Sequence, residues 1–97
     1  MYTVLNTIKS QGFNKLQLQK LAKNESFEIL SITLEKGAVF PTHTSPMEAL
    51  LIVIEGEIVF HIRDEEYHLR NQQHFSFPKE IEHWVNANEN SKFIIVR

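Results

Sequence analysis

From Phe27 onward the apolar residues recur with a period of two, and that rhythm constrains the fold more than any other feature of the chain. Phe27-Glu28-Ile29-Leu30-Ser31-Ile32-Thr33-Leu34 is rich in branched side chains and stops at Glu35-Lys36-Gly37, which reads as a strand running into a turn. Ala49-Leu50-Leu51-Ile52-Val53-Ile54 is apolar on both faces, the pattern of a strand covered on each side. Glu55-Gly56 then interrupts the run before Ile58, Phe60 and Ile62 alternate with Val59, His61 and Arg63, predicting a hairpin closed by a tight glycine turn. Arg63-Asp64-Glu65-Glu66 supplies the next polar turn, followed by strands at Tyr67–Leu69, Phe75–Phe77, Glu82–Ala87 and Lys92–Arg97. About eight short strands with no long helical pattern predict an all-β fold, an antiparallel barrel or two-sheet jelly roll.

The first 26 residues carry a weaker pattern. Leu16 and Leu18 alternate with Gln17 and Gln19 as in a strand, while Val4, Leu5 and Ile8 fit one helical turn equally well. Residues 1–26 are therefore expected to be a short strand or helical extension packing on a barrel core of residues 27–97. No repeat, low-complexity tract or linker divides the chain, and 97 residues with 42% hydrophobic content suffice for one core, so a single domain over 1–97 is expected.

Composition removes several function classes. A net charge of −2, with no basic patch and no helix-turn-helix segment, argues against nucleic acid and anionic lipid as partners. The absence of cysteine removes disulfides, zinc–thiolate sites and thiol nucleophiles together, and fits a reducing compartment. The longest apolar run, Ala49–Ile54, is too short to span a bilayer, and Met1–Asn6 lacks the basic start of a secretory signal. A cytoplasmic protein is the expectation.

Two segments carry a family resemblance. In Gly37-Ala38-Val39-Phe40-Pro41-Thr42-His43-Thr44-Ser45-Pro46-Met47-Glu48-Ala49, continuing to Gly56, the positions of Gly37, His43 and Gly56 resemble the first signature of the cupin superfamily. Ser45 stands where that signature has a second His, and Ala49 where it has a Glu. Downstream, Pro78 and His83 match the second signature, while Gln72 and Glu80 stand where glycines are usual and Ala87 where Asn is usual. The resemblance implies a double-stranded β-helix barrel whose pocket holds His43, Ser45, Ala49 and His83.

In metal-binding cupins the two signatures imply three imidazoles and one carboxylate pointing into the barrel. Only His43 and His83 of that set remain here. Serine hydroxyl is a poor ligand for transition metals at neutral pH and alanine offers no donor, so the resemblance implies no resident cofactor or a weakly held divalent metal. Glu48 is a third candidate ligand only if a bulge turns it inward, because neighbouring strand residues point to opposite faces. Among the other histidines, His61 falls out of phase with the apolar positions and reads as structural, and His68 and His74 as exposed. Trp84 should point away from His83, towards core or subunit-interface packing. Phe40, Phe75 and Phe77 read as barrel-core residues.

Three functions compete on this reading. The first is a small-molecule binding protein oriented by His43, Ser45 and His83. The second is a metal-dependent enzyme of oxygenase or isomerase type using His43 and His83. The third is a non-catalytic structural or regulatory homodimer, favoured by the both-face apolarity of Ala49–Ile54. No catalytic residue is identifiable; Ser45 lacks the surroundings of a nucleophile.

Overall fold

A computed structural model describes all 97 residues. The elements are α1 (Thr7–Ser10), β1 (Leu16–Lys23), β2 (Glu28–Leu34), β3 (Val39–His43), β4 (Ala49–Glu55), β5 (Glu57–Ile62), β6 (Glu65–Arg70), β7 (His74–Phe77), β8 (His83–Ala87) and β9 (Ser91–Val96). They form two antiparallel sheets in a jelly-roll arrangement, one ordered β1-β2-β9-β4-β7 and the other β3-β8-β5-β6. The fold is all-β as the period-two pattern predicts.

The alternation explains the core. Leu30, Ile32 and Leu34 of β2 lie opposite Ile95, Phe93 and Ser91 of β9, and Leu51 and Val53 of β4 face the same interior. Ile58, Phe60 and Ile62 of β5, with Val85 and Ala87 of β8, close the cluster from the other sheet. Each large side chain removed from water there contributes roughly 1.5–3 kcal/mol. No helix is long and apolar enough to cross a membrane.

Two sequence expectations need correction. β4 and β5 do not form a hairpin; they belong to different sheets, and Gly56 is the corner between them. Its φ is +93°, and a Cβ there would lie 2.5 Å from the Asn90 carbonyl oxygen, which leaves no room for a side chain. The true hairpin is β5–β6, where Arg63 and Asp64 both adopt positive φ as a two-residue turn requires. The residue pattern does not predict strand β3, because Pro41 lies in it. It occupies a sheet edge with a register shift between Phe40 and His43, the setting in which a strand tolerates proline. Within the single chain, Ala49, Leu51 and Val53 of β4 are buried, whereas outward Leu50 and Ile52 are half-buried and Ile54 is 42% exposed.

The N-terminal region supplies both elements that its pattern allowed, the helical turn α1 and the strand β1, which pairs with β2. The segment between them seals part of the outer face of the five-stranded sheet. Gln11 Nε2 donates to the Ser31 carbonyl at 3.0 Å and its Oε1 accepts from Ser31 Oγ at 2.6 Å. Thr33 Oγ1 donates to the Gly12 carbonyl at 2.7 Å, and Lys92 Nζ donates to the Ile8 carbonyl at 2.6 Å. Polar groups that would otherwise be buried unpaired are thereby satisfied.

Candidate functional site

The shift in the β3–β8 pairing builds the site. Phe40 pairs with Val85 and His43 with His83, three steps along β3 against two along β8, so Phe40 and His43 both face inward despite their odd spacing. The two rings stack at 4.2 Å between centroids. His83 is 2% exposed and enclosed by Phe60 at 5.1 Å and Phe77 at 4.7 Å, with His43 edge-on at 4.3 Å.

The hydrogen bonds within this pair fix its chemistry. His43 Nδ1 lies 2.6 Å from the Pro41 carbonyl oxygen, and His83 Nδ1 lies 3.0 Å from that of Ile81. A carbonyl only accepts, so each Nδ1 carries the hydrogen, which places the lone pair of each neutral ring on Nε2. Those Nε2 atoms face one another at 3.0 Å. Two neutral imidazoles have two N–H groups for three contacts, so the third contact closes only when a cation, a proton or a metal ion, sits between the Nε2 atoms. Burial pushes His83 below the ordinary histidine pKa, the Ile81 carbonyl bond opposes this, and the His43 and Arg97 charges push the same way as burial.

No carboxylate joins the pair: no group of three or more His, Asp or Glu side chains closes to metal-ligand spacing. Glu48 is exposed just before β4 and stays outside the barrel, because the register of β4 turns its neighbour Ala49 inward, opposite Phe77. Ser45 is buried, but its hydroxyl donates to the Met47 carbonyl at 2.6 Å, and its own carbonyl accepts from Glu80 N–H at 2.9 Å. It fastens the loop after β3 to the loop after β7. The residues present would offer a divalent ion two imidazole ligands, not the three imidazoles and one carboxylate that the sequence resemblance implies.

At the sheet edges β6 and β7 a cleft of about 260 Å³ is lined by Ile62, Tyr67, Phe75 and Phe77, with Arg63 and Glu65 at its rim. Phe77 separates that cleft from His83. A second cleft, about 560 Å³, reaches His83 beside Thr42 and is flanked by Asp64, Glu66 and Glu82. The carbonyls of Pro41 and Ile81 escape sequence reasoning; each lies two residues before its histidine, a spacing that carries no meaning until the backbone is seen. For Phe60, which stacks on His83, the alternation signals a core position only.

The remaining histidines lie elsewhere. His68 and His74 are exposed. His61 points away from the barrel, stacked on Trp84 at 3.6 Å and bonded through Nε2 to Asn86 Oδ1 at 2.6 Å.

Comparison with known proteins supplies the family context. The family model described as the cupin domain matches residues 30–96. No curated protein matches the chain. Among solved structures, a conserved protein of unknown function from Streptococcus pyogenes is 22% identical, with 99% of this chain and 86% of that chain covered and a TM-score of 0.85. A cupin superfamily protein from Desulfitobacterium hafniense is 15% identical over 99% of this chain and 90% of that one, also at 0.85. An RmlC-like cupin from Desulfovibrio desulfuricans is 22% identical over 99% and 95%, again at 0.85. Identities this low speak to the fold alone.

Proposed function

The chain belongs to the cupin domain family, and from that premise we propose that it binds an anionic small molecule, a carboxylate above all, in the barrel against His43 and His83. The observation that carries this reading is the unfilled third contact at 3.0 Å between two Nε2 atoms whose Nδ1 hydrogens are already committed. A cation held there has no carboxylate of the protein closing on it at metal-ligand spacing; Asp64, Glu66 and Glu82 line the outer cleft beside His83. An uncompensated charge in an apolar interior is costly, so the occupant must bring the negative charge with it. Phe75, Phe77 and Tyr67 provide the apolar walls of the neighbouring cleft, whose rim carries both Arg63 and Glu65.

Thermal unfolding in the presence of a panel of carboxylates, sugars and aromatic acids tests the reading. A ligand that binds only the folded state stabilises it by about 2.7 kcal/mol at a hundred times its Kd. A carboxylate should raise the melting temperature of the wild type and leave His43→Ala unmoved. A panel in which no anion shifts the wild type sinks the proposal.

A second reading has one specific observation in its favour. Imidazoles that ligate metals donate their other N–H to a carbonyl or carboxylate, and both histidines are held in that way. On this reading the pair holds a divalent ion weakly, with water and ligand completing its shell, and the ion supplies Lewis-acid chemistry to a bound substrate. Elemental analysis of protein prepared with added metal separates the two: near-stoichiometric metal, lost in His43→Ala, favours the enzyme.

A further inference from the structure

Strands β2 and β4 line the core with aliphatic side chains, Leu30, Ile32, Leu34, Leu51 and Val53 among them. Around the histidine pair the filling changes to rings, and these form an unbroken series from the surface inward. Between centroids, Tyr67 lies 5.3 Å from Phe75, Phe75 6.1 Å from Phe77, and Phe77 4.7 Å from His83. Phe60 packs against the last three, 4.8 Å from Phe75 and from Phe77 and 5.1 Å from His83. Burial alone does not ask for such a series, because aliphatic and aromatic area leave water with similar gain. What rings add is direction: a negative face and a positive edge, which favour another ring placed offset or edge-on.

The outer end of the series is open. Tyr67 is 38% exposed and Phe75 half-buried, and both line the cleft of about 260 Å³ at the β6 and β7 edges. An apolar cavity of about 150 Å³ already holds benzene, so this cleft has room for one six-membered ring with a short substituent. Its outer wall is fixed in place, because the Tyr67 hydroxyl donates to Glu65 Oε2 at 2.7 Å. The inner end of the series is the histidine pair, and Phe77, 3% exposed, stands between the cleft and His83. Directly opposite Phe77 on β4 is Ala49, whose methyl group restrains a neighbouring ring less than a longer side chain would.

Resting on the carboxylate reading of the histidine pair, we propose that the cleft and the pair are two ends of one ligand site divided by Phe77, and that the ligand is a single-ring aromatic carboxylate. Its ring lies among Tyr67, Phe75 and Phe77, and its carboxylate turns inward to the Nε2 atoms of His43 and His83. The ring of Phe77 already meets His83 edge-on at 4.7 Å, so an aromatic acid that displaces Phe77 inherits a ring–imidazole contact that the fold has in place. A saturated acid of the same size gains the burial and loses the ring contacts. Tyr67 and Phe75 therefore determine specificity, and His43 and His83 hold the charge.

Titration calorimetry of the full chain in chelator provides the test, with benzoate and phenylacetate set against their saturated counterparts cyclohexanecarboxylate and cyclohexylacetate. An aromatic acid should bind about two- to tenfold more tightly than its saturated counterpart, the range that ring–ring contacts add to burial. Tyr67→Leu, at an exposed position where folding is little affected, should bring the two acids of a pair level while the saturated acid still binds. Phe75→Leu should do the same, and Trp84→Phe on the outer face should leave the preference intact. Equal affinities in the wild type overturn the aromatic ligand and leave the carboxylate reading standing, whereas a wild type that binds neither kind of acid overturns both. A preference that survives Tyr67→Leu and Phe75→Leu overturns the placement of the ring in this cleft.

Discussion

The four-stranded sheet carries an imidazole cluster on each face, both built on neighbouring residues of β5 and β8, with β3 adding to the inner one. On the inner face His83 of β8 meets Phe60 of β5 and His43 of β3; on the outer face Trp84 of β8 meets His61 of β5. The outer cluster brings its own counter-charge, with Glu66 at 3.8 Å from His61 and at 3.6 Å from His68. The inner pair has no carboxylate at metal-ligand spacing and is walled by Phe40, Phe60 and Phe77. Imidazoles are thus placed in opposite electrostatic settings by positions one residue apart, His83 beside Trp84 on β8 and Phe60 beside His61 on β5. Outside, a positive imidazole is solvated and paired, which costs little and contributes little. Inside, any positive charge must be balanced by something that enters.

The largest expected difference between the two faces is in stability. His83→Ala empties a buried site among three aromatic rings and should cost about 3 kcal/mol in urea unfolding, whereas Trp84→Ala on the half-open outer face should cost about 1 kcal/mol. Equal losses would break the comparison. Next comes metal affinity. Ala49→Glu, which returns a carboxylate to the inner face, should tighten zinc or manganese binding by about a hundredfold in titration calorimetry. Glu66→Gln on the outer face should leave that affinity unchanged.

Acid should then separate the faces. The folded-state pKa of His83 is held below its unfolded value near 6.5, chiefly by burial. The unfolded chain therefore takes up this proton first, so the contribution of His83 is complete above about pH 6.5 and is lost as pH falls through its folded pKa. Urea midpoints measured in chelator should fall over that range, and His83→Gln should flatten the fall. The smallest effect concerns the loops. Glu80 near the inner site and Asp64 on the outer hairpin hold φ of 62° and 61°, so glycine at either should stabilise by up to about 1 kcal/mol. A gain at Asp64 alone would show that Glu80 earns its place through contacts at the inner site.

Much of this was legible from residue patterns, and the failures have physical causes. Period-two alternation identified the strands whose inner residues make the core, because burial and pleat share that period. It could not place β3, where Pro41 and the register shift set Phe40 and His43 on one face at an odd spacing. It also mistook Gly56 for a hairpin turn, since a sheet corner and a tight turn ask the same positive φ of a glycine. Gln72 and Glu80, which stand where the family resemblance has glycines, adopt left-handed φ of 66° and 62°, the backbone conformation that glycine takes most readily. His43 and His83 were recognisable as a pair from the two signatures. Their contact through Nε2 was not, because it depends on the carbonyls of Pro41 and Ile81, and backbone groups leave no mark in a sequence.

The central claim is that both Nδ1 atoms carry hydrogen and both Nε2 atoms converge on one occupant. Long-range proton–nitrogen correlation spectra of the histidine rings, recorded in chelator near neutral pH, test it most directly. The account predicts an Nδ1–H at both His43 and His83, with the two Nε2 resonances moving together when a carboxylate binds. A neutral Nε2–H tautomer at either ring, with its Nδ1 unprotonated, would contradict it.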